Sequence, residues 1–404
     1  MDQLRSVPPH MRRTPFDPVD DLARCRAEAP VSRAAAPLGP LRVPAWLIAR
    51  YQDVRAVLGD AAGFSNSSEA VRDYVAAVAG EETAERLPLS GPSLIGYDPP
   101  VHTRLRRMVA PRFTVKRMRS LQPRIEAIVA EHLDAMAEAG APADLLEAFA
   151  LPMSSLVICE LLGVPYDDRA AFQRRGSAQL DLDLDLAGRQ AAFDESHAYM
   201  ADLVRGHRAG PGDNLLGALV REHGDELSDE ELTELATLLL VAGHETTANM
   251  LALGTLLLLR HPDQLALLRD DPSIAEGAVE ELMRYLSIVH TGVVRTALRD
   301  VTIAGTRIKA GDAVMCSLPS ANRDESVIAD PDVLDLTRKP TAHVAFGHGI
   351  HHCLGAPLAR LELRIAFPAL LRRFPGLRLA VPFEELRYRP LSVVYGVRSL
   401  PVTW

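Results

Sequence analysis

The chain has 404 residues, 48% of them hydrophobic and 24% charged, and carries a net charge of −9. That composition supports a large folded core and excludes a disordered or collagen-like chain, while the acidic balance argues against general nucleic-acid binding. Four cysteines, Cys25, Cys159, Cys316 and Cys353, stand apart with no CxxC spacing, which suits a reducing compartment and argues against a disulfide framework.

The opening MDQLRSVPPHMRRTPFDPVDD is polar and proline-rich and lacks the apolar core of a signal peptide or anchor. The apolar runs around LATLLLVAG and NMLALGTLLLL are interrupted by His244 and Glu245 and fall short of membrane-spanning length. The expectation is a cytoplasmic protein with no membrane partner.

VPAWLIARY near the start, VVRTALRDVTIAGTRIKAGDAVMCSL and the tail LRLAVPFEELRYRPLSVVYGVRSLPVTW have strand-like patterning. This gives β-rich portions at about 30–60, 290–320 and 375–404 within one domain spanning residues 1–404. Small sheets must then join strands distant in sequence and tie the two ends into one fold.

Helical period dominates elsewhere, at Arg117–Ala139, Leu145–Leu162, Asp194–Arg208 and Ile274–Leu286. The fold class is mainly α with small β-sheets. Ser65–Pro92 and Arg175–Arg189 read as long irregular connections, of the length often used for lids and binding loops. Within the second, LDLDLDL at Leu180–Leu186 reads as an exposed strand or solvated lid connection.

Between them lies DPPVHTRLRR, where His102 and Arg106 share a helix face at i and i+4. Arg104, Arg106, Arg107, Arg112, Lys116, Arg117 and Arg119 form a basic strip with no acid among them. At LSDEEL, Ser228 and Glu231 have the spacing of a capping box. The apolar pattern runs on to Arg260, where His261-Pro262 stops it. At 1.5 Å per residue that helix would span roughly 50 Å, so it must cross the middle of the molecule. Gly243 inside it costs about 1 kcal/mol relative to alanine and calls for a reason.

FGHGIHHCLG, Phe346–Gly355, packs three glycines, three histidines and one cysteine into ten positions. As a dinucleotide loop it fails, because His352 occupies the third glycine position of GxGxxG and no strong strand precedes it. As a zinc site it offers His348, His351, His352 and Cys353, but adjacent residues cannot all reach one tetrahedral centre. As a haem-thiolate loop it fits: one cysteine presents its sulfur, Gly347, Gly349 and Gly355 let backbone approach a flat macrocycle, and a helix starting near Leu354 aims its positive end at that sulfur.

The same ten positions resemble the haem-binding signature of the cytochrome P-450 monooxygenases, and APLARLE resembles the helix that follows it. VAGHETT resembles the family's oxygen-binding segment, ELMR its ExxR helix, and DLTR the arginine segment before the cysteine loop. The likeness is to the bacterial, actinomycete-type class and extends from about Pro15 to Trp404, judged by these motifs in order.

The resemblance implies a P-450 fold with the long helix over a buried haem b. It makes Cys353 the iron ligand, Phe346 the ring packed by the sulfur, and His102, Arg106, Arg295 and His351 partners of the haem propionates. Ala242 and Gly243 approach the cofactor with Gly347 and Gly355, and Glu245 and Thr246 relay protons to dioxygen along a helix that opens locally. Glu281, Arg284 and Arg338 form a structural network, and His348 and His352 remain exposed polar residues. Leu238, Val241, Thr291, Val294 and Val394 line the substrate.

The expected activity is insertion of one oxygen atom from O2 into an apolar small molecule of secondary metabolism, by hydroxylation or epoxidation. The sequence contains no complete dinucleotide fingerprint, flavin extension or iron–sulfur spacing. Electrons must therefore come from a ferredoxin and ferredoxin reductase, with NAD(P)H acting only through them, and the basic strip with Arg360 and Arg364 suits docking of the acidic carrier. A monomer is expected. The alternatives are oxidative coupling or peroxide-driven oxidation on the same fold and, in another class, a haem sensor or electron carrier.

Overall fold

A helix from Asp229 to Arg260 organises the molecule. In the computed structural model, which describes residues 7–18, 20–38, 41–85, 93–165 and 169–404, it begins at the capping box read from LSDEEL. The Ser228 hydroxyl accepts from the Glu231 amide at 3.1 Å, and the Glu231 carboxylate accepts from the Ser228 amide at 3.0 Å. Leu235, Leu240, Leu251, Leu253 and Leu257 are all buried along it. Such all-round burial marks a core helix rather than a surface one, and each leucine adds about 1.5–3 kcal/mol of transfer free energy.

The helices Leu151–Leu162, Leu186–Ala209 and Ala356–Arg373 pack against this axis. A single large apolar cluster joins them to Val115–Ala139 and Ala275–Leu286. Leu145–Leu162 is entered through a π-helical turn at Leu146–Ala150.

A five-stranded sheet has the order Val31–Leu38, Leu41–Ile48, Ala313–Cys316, Val293–Ala297, Phe64–Ser65. Val314 pairs with Trp46 in a parallel ladder and with Arg295 in an antiparallel one. A three-stranded sheet brings Arg378–Leu379, Pro401–Thr403 and Ala143–Asp144 together. Strands far apart in sequence are thus joined.

Some expectations require correction. Tyr51–Gly59, inside the portion read as β-rich, is a helix whose Tyr51, Val54, Val57 and Leu58 face inward at helical spacing. The first irregular connection carries helices Ser68–Ala79, capped by the Ser67 hydroxyl, and Glu81–Glu85; residues 86–92 of it lie outside the described residues. The second is the junction of helices Arg169–Leu180 and Leu186–Ala209.

LDLDLDL is not an exposed strand. Leu182 is buried against Val7 and Met11, its amide donates to the Leu391 carbonyl at 2.9 Å, and Asp185 caps the next helix through the Gly188 amide at 2.7 Å. The alternation reflects one inward leucine and one capping acid.

Candidate active site

Cys353 sits at the end of a tight loop whose shape is set by backbone. The Cys353 amide donates to the Phe346 carbonyl at 2.9 Å and the Gly347 amide to the Val344 carbonyl at 2.8 Å. Gly349 has φ +73°, and a Cβ there would lie 2.2 Å from the Leu58 carbonyl oxygen. That glycine lets the loop rest on the helix Tyr51–Gly59. No atom lies within 4 Å of a Cβ built at Gly347 or Gly355.

Cys353 is an exposed residue, and its thiol receives hydrogen bonds from the Gly355 and Ala356 amides at the start of Ala356–Arg373. Burial by surrounding protein pushes the thiol up, while these amides and the guanidinium groups of Arg106 and Arg360 pull toward thiolate. Among the described residues, no three His, Cys, Asp or Glu side chains are grouped to hold a metal ion.

Beside Cys353 lies a set of donors with no ion pair to a carboxylate among the described residues: Asp98 is close enough for its charge to act on His102 and Arg295, but its oxygens accept from the Ser65 hydroxyl and the Asn66 amide. The rings of His102 and His351 are 4.2 Å apart by centroid, and neither ring nitrogen of His102 nor Nε2 of His351 has a partner among the described residues. Burial, with Arg295, His102 and Arg106 nearby, pushes His351 down to about 3. Arg295 is buried and donates to the Asn66 amide oxygen at 2.6 Å and the Val294 carbonyl at 2.8 Å. Arg106 donates to the His352 carbonyl at 2.6 Å, bracing the cysteine loop. Buried cationic groups and orphaned donors at one place fit a cofactor bearing two carboxylates. His348 and His352, expected to be exposed, are half-buried, with His348 against Gly59.

Phe346 lies under the Arg360 guanidinium at 4.4 Å. Arg360 in turn forks onto Glu280 at 2.7 and 2.8 Å, and His343 meets the same carboxylate at 3.1 Å. One position along that helix, Glu281 and Arg284 form a two-pronged pair at 2.7 and 2.8 Å. Arg338 adds a bond to Glu281 at 3.1 Å, and Arg284 also donates to the Asn322 and Pro331 carbonyls at 2.9 Å each. The Asn322 side chain accepts from the Val344 amide at 2.7 Å, two residues before Phe346. The ion pair thereby reaches the cysteine loop through Asn322, a residue with no sequence signal.

On the long helix, Leu238, Val241 and Thr246 are partly open and Ala242 is exposed, although residues on either side are buried. These positions share a face, so the helix is open in its middle there as well as at its ends, where Asp229, Glu230 and Arg260 are exposed. Gly243 does not share that environment, because a Cβ there would lie 2.7 Å from Ile158 Cδ1. Its reason is the approach of Leu151–Leu162. The helix runs unbroken through this segment, so the expected local opening is not present; the Thr246 hydroxyl simply donates to the Ala242 carbonyl at 2.8 Å.

Glu245 is buried and fully engaged. One carboxylate oxygen accepts from the Ser177 hydroxyl; the other accepts from Arg389 Nη1 at 2.9 Å and Asn249 Nδ2 at 3.1 Å. Asn249 could have been found at i+4 from Glu245; Ser177 and Arg389 come from distant segments with no pattern pointing to them.

The substrate expectations divide. Val294 is partly open, but Thr291 and Val394 are buried, Val394 within the main core, bridged to Val289. The basic strip is also thinner than expected, since Arg104 pairs with Glu231, Arg112 with Glu222 and Arg364 with Glu276. Arg107, Lys116, Arg117 and Arg119 are exposed and in no ion pair among the described residues.

Comparison with known proteins agrees with this arrangement. A family model described as cytochrome P450 matches residues 190–377. Cytochrome P450-SU2 of Streptomyces griseolus is 47% identical over 390 residues, covering 96% of this chain and 94% of that one. Mycinamicin IV hydroxylase/epoxidase of Micromonospora griseorubida is 43% identical over 379 residues, covering 93% and 92%. The crystal structure of CYP105P1 in complex with filipin I superposes with a TM-score of 0.89 at 43% identity, covering 98% of each chain. With near-complete coverage by relatives of this kind at 43–47% identity, the chain belongs to the cytochrome P450 family and is a P450 monooxygenase.

Proposed function

We propose that this P450 inserts one oxygen atom of O2 into an apolar small molecule of secondary metabolism, by hydroxylation or epoxidation. The carrying observation is the pairing of an amide-braced Cys353 sulfur with the unsatisfied donors of His102 and His351 beside Arg106 and Arg295. Relatives named for mycinamicin and filipin favour a bulky secondary metabolite.

Cys353 is the ligand for haem b, and the Gly355 and Ala356 amides at the start of Ala356–Arg373 favour its thiolate against the burial that opposes it. His102, His351, Arg106 and Arg295 hold the two propionates. Haem held by these residues would supply the iron chemistry that activates dioxygen, with Cys353 as the electron-rich ligand. Glu281, Arg284 and Arg338 hold the chain leading into the cysteine loop.

Leu238, Val241 and Ala242 offer an apolar surface to substrate, with Val294. Thr246, whose hydroxyl is held on the Ala242 carbonyl, accepts and passes a proton at Oγ1. Glu245, behind it in the core, supplies the carboxylate through which protons reach that surface.

Electrons come from a separate ferredoxin served by its reductase. Arg119, Arg360 and Arg364 line, with Val115 and Pro357, a groove of about 950 Å³ along the helix that follows Cys353. Arg372 and Arg373 also line it, against the acids Glu126, Asp134 and Glu276; with Lys116 and Arg117 exposed beside Val115 and in no ion pair among the described residues, this face suits an acidic carrier.

The test is the absorbance of the reduced, carbon-monoxide-bound protein. A band near the position typical of thiolate-ligated haem, lost in Cys353→Ala, is expected; a histidine-type spectrum would refute the ligand. Thr246→Ala is expected to release hydrogen peroxide in place of product. A library screened for the spin-state shift on ligand binding then identifies the substrate class.

A further inference from the structure

We propose that Arg389 is a positioning residue for Glu245, and that the hairpin carrying it couples this acid to the seating of the helix Arg169–Leu180. The inference rests on the proton-relay reading of Glu245 and Thr246 given above.

The segment Arg387–Arg398 folds back on itself. The Arg389 amide donates to the Gly396 carbonyl at 2.9 Å and the Arg398 amide to the Arg387 carbonyl at 2.7 Å, with Tyr388 and Val397 in a bridge between. Both arms grip the central helix at one point. On one arm, Arg389 meets Glu245 Oε2 at 2.9 Å. On the other, Gly396 presses its backbone against Asn249, so closely that a Cβ would lie 1.9 Å from Asn249 Oδ1. Asn249 itself donates to the Glu245 carboxylate at 3.1 Å and to its carbonyl at 2.8 Å.

The tip of the hairpin holds the neighbouring helix. The Leu182 amide donates to the Leu391 carbonyl and the Val393 amide to the Leu180 carbonyl, both at 2.9 Å, and the Ser392 hydroxyl reaches the same Leu180 carbonyl at 3.2 Å. Leu182 packs beside Leu391 and Val393. From within that helix, Ser177 donates its hydroxyl to Glu245 Oε1. Hairpin and helix therefore hold opposite oxygens of one buried carboxylate while being hydrogen-bonded to each other.

A carboxylate held this way cannot turn toward Thr246 without giving up a partner, and Arg389 is its only ionic one among the described residues. Removing that cation leaves the buried carboxylate without its ionic partner, so the carboxylate moves and delivery along the relay changes. Movement of Arg169–Leu180 would act on the same carboxylate through Ser177.

The test uses the haem-loaded protein without substrate, supplied with NADPH through a ferredoxin and its reductase. Dioxygen leaves either as hydrogen peroxide, taking two electrons and two protons, or as two waters, taking four of each. The ratio of NADPH to O2 consumed thus reports proton delivery. Arg389→Gln is expected to change this ratio and to alter peroxide yield by about threefold or more, with Arg389→Lys returning both to near wild type. Amide exchange across residues 177–182 should quicken by about threefold or more in Arg389→Gln and not in Arg389→Lys.

An unchanged ratio in Arg389→Gln overturns the proposal, whether or not exchange quickens, because a merely structural hairpin would alter exchange alone. An altered ratio with unaltered exchange overturns the coupling to the helix. Thr246→Ala is measured in parallel: if it too leaves the ratio unchanged, the relay reading itself fails, whereas a change in Thr246→Ala alone refutes only the role of Arg389.

Discussion

Gly243 and Ile158 are in contact so close that alanine at 243 would bring its Cβ to 2.7 Å from Ile158 Cδ1 and 2.8 Å from Cγ1. The helix propensity that alanine gains, about 1 kcal/mol, is set against overpacking that costs about 1–3 kcal/mol. Gly243→Ala should therefore destabilise the protein by about 1 kcal/mol in denaturant unfolding. In Gly243→Ala/Ile158→Ala the clash is relieved and the two effects should be non-additive by about 1 kcal/mol or more. Strict additivity would show that Ile158 does not explain the glycine.

The buried pair Glu281–Arg284 makes a larger demand. Both side chains are almost inaccessible, at 3% and 1%, so Arg284→Ala leaves a buried carboxylate with Arg338 as its remaining ionic partner and should cost about 3 kcal/mol or more. Arg284→Lys cannot fork onto Glu281 while also reaching the Asn322 and Pro331 carbonyls, and should rescue little. Arg338→Ala, at the rim of the network, should cost about 1–2 kcal/mol. Thermal unfolding and haem content measure the series; equal losses at Arg284 and Arg338 would contradict the ranking.

Legibility in the sequence follows the range of the interactions. Cys353, His102 and Arg106 sit in short motifs whose spacing is enforced by one loop or one helix face, so their meeting in one place was legible. The capping box at Ser228 was legible for the same reason. Arg389, Ser177 and Asn322 act through contacts between segments far apart in the chain, and no local pattern encodes such meetings. Val394 shows the converse: an apolar residue in the expected stretch is buried in the core at 2% exposure, because period alone cannot separate a wall facing substrate from one facing protein. The charges Arg104 and Arg112 looked free because their acids, Glu231 and Glu222, lie more than a hundred residues away.

Glu234 gives a pH dependence whose sign is fixed by its surroundings. It is buried on the long helix, with Glu230 and Glu231 close by, and is pushed up from 4.5 to about 7 despite a hydrogen bond with Tyr97. Between these values the folded state keeps a proton that the unfolded state releases, so this group's contribution to stability falls as pH rises from 4.5 to about 7 and is level on either side. The loss over that window should be roughly 2–3 kcal/mol. Glu234→Gln should lack it, so the difference in unfolding free energy between wild type and variant must grow in favour of the variant over this range. A difference independent of pH would mean that the carboxyl ionises normally.

The basic face near Cys353 offers a final, graded expectation. Arg117 and Arg119 are exposed and in no ion pair among the described residues, whereas Arg112 is held by Glu222. An approaching acidic ferredoxin meets the full charge of the first two and a neutralised third. Arg117→Glu and Arg119→Glu should each raise the KM for ferredoxin by about tenfold at low salt. Arg112→Glu should change it by about twofold. Raising ionic strength shortens the Debye length toward 3 Å at about 1 M, so the differences should then shrink, with kcat at saturating ferredoxin little altered. Equal effects at all three positions would place the carrier elsewhere on the surface, since only docking on this face makes the existing ion pair matter.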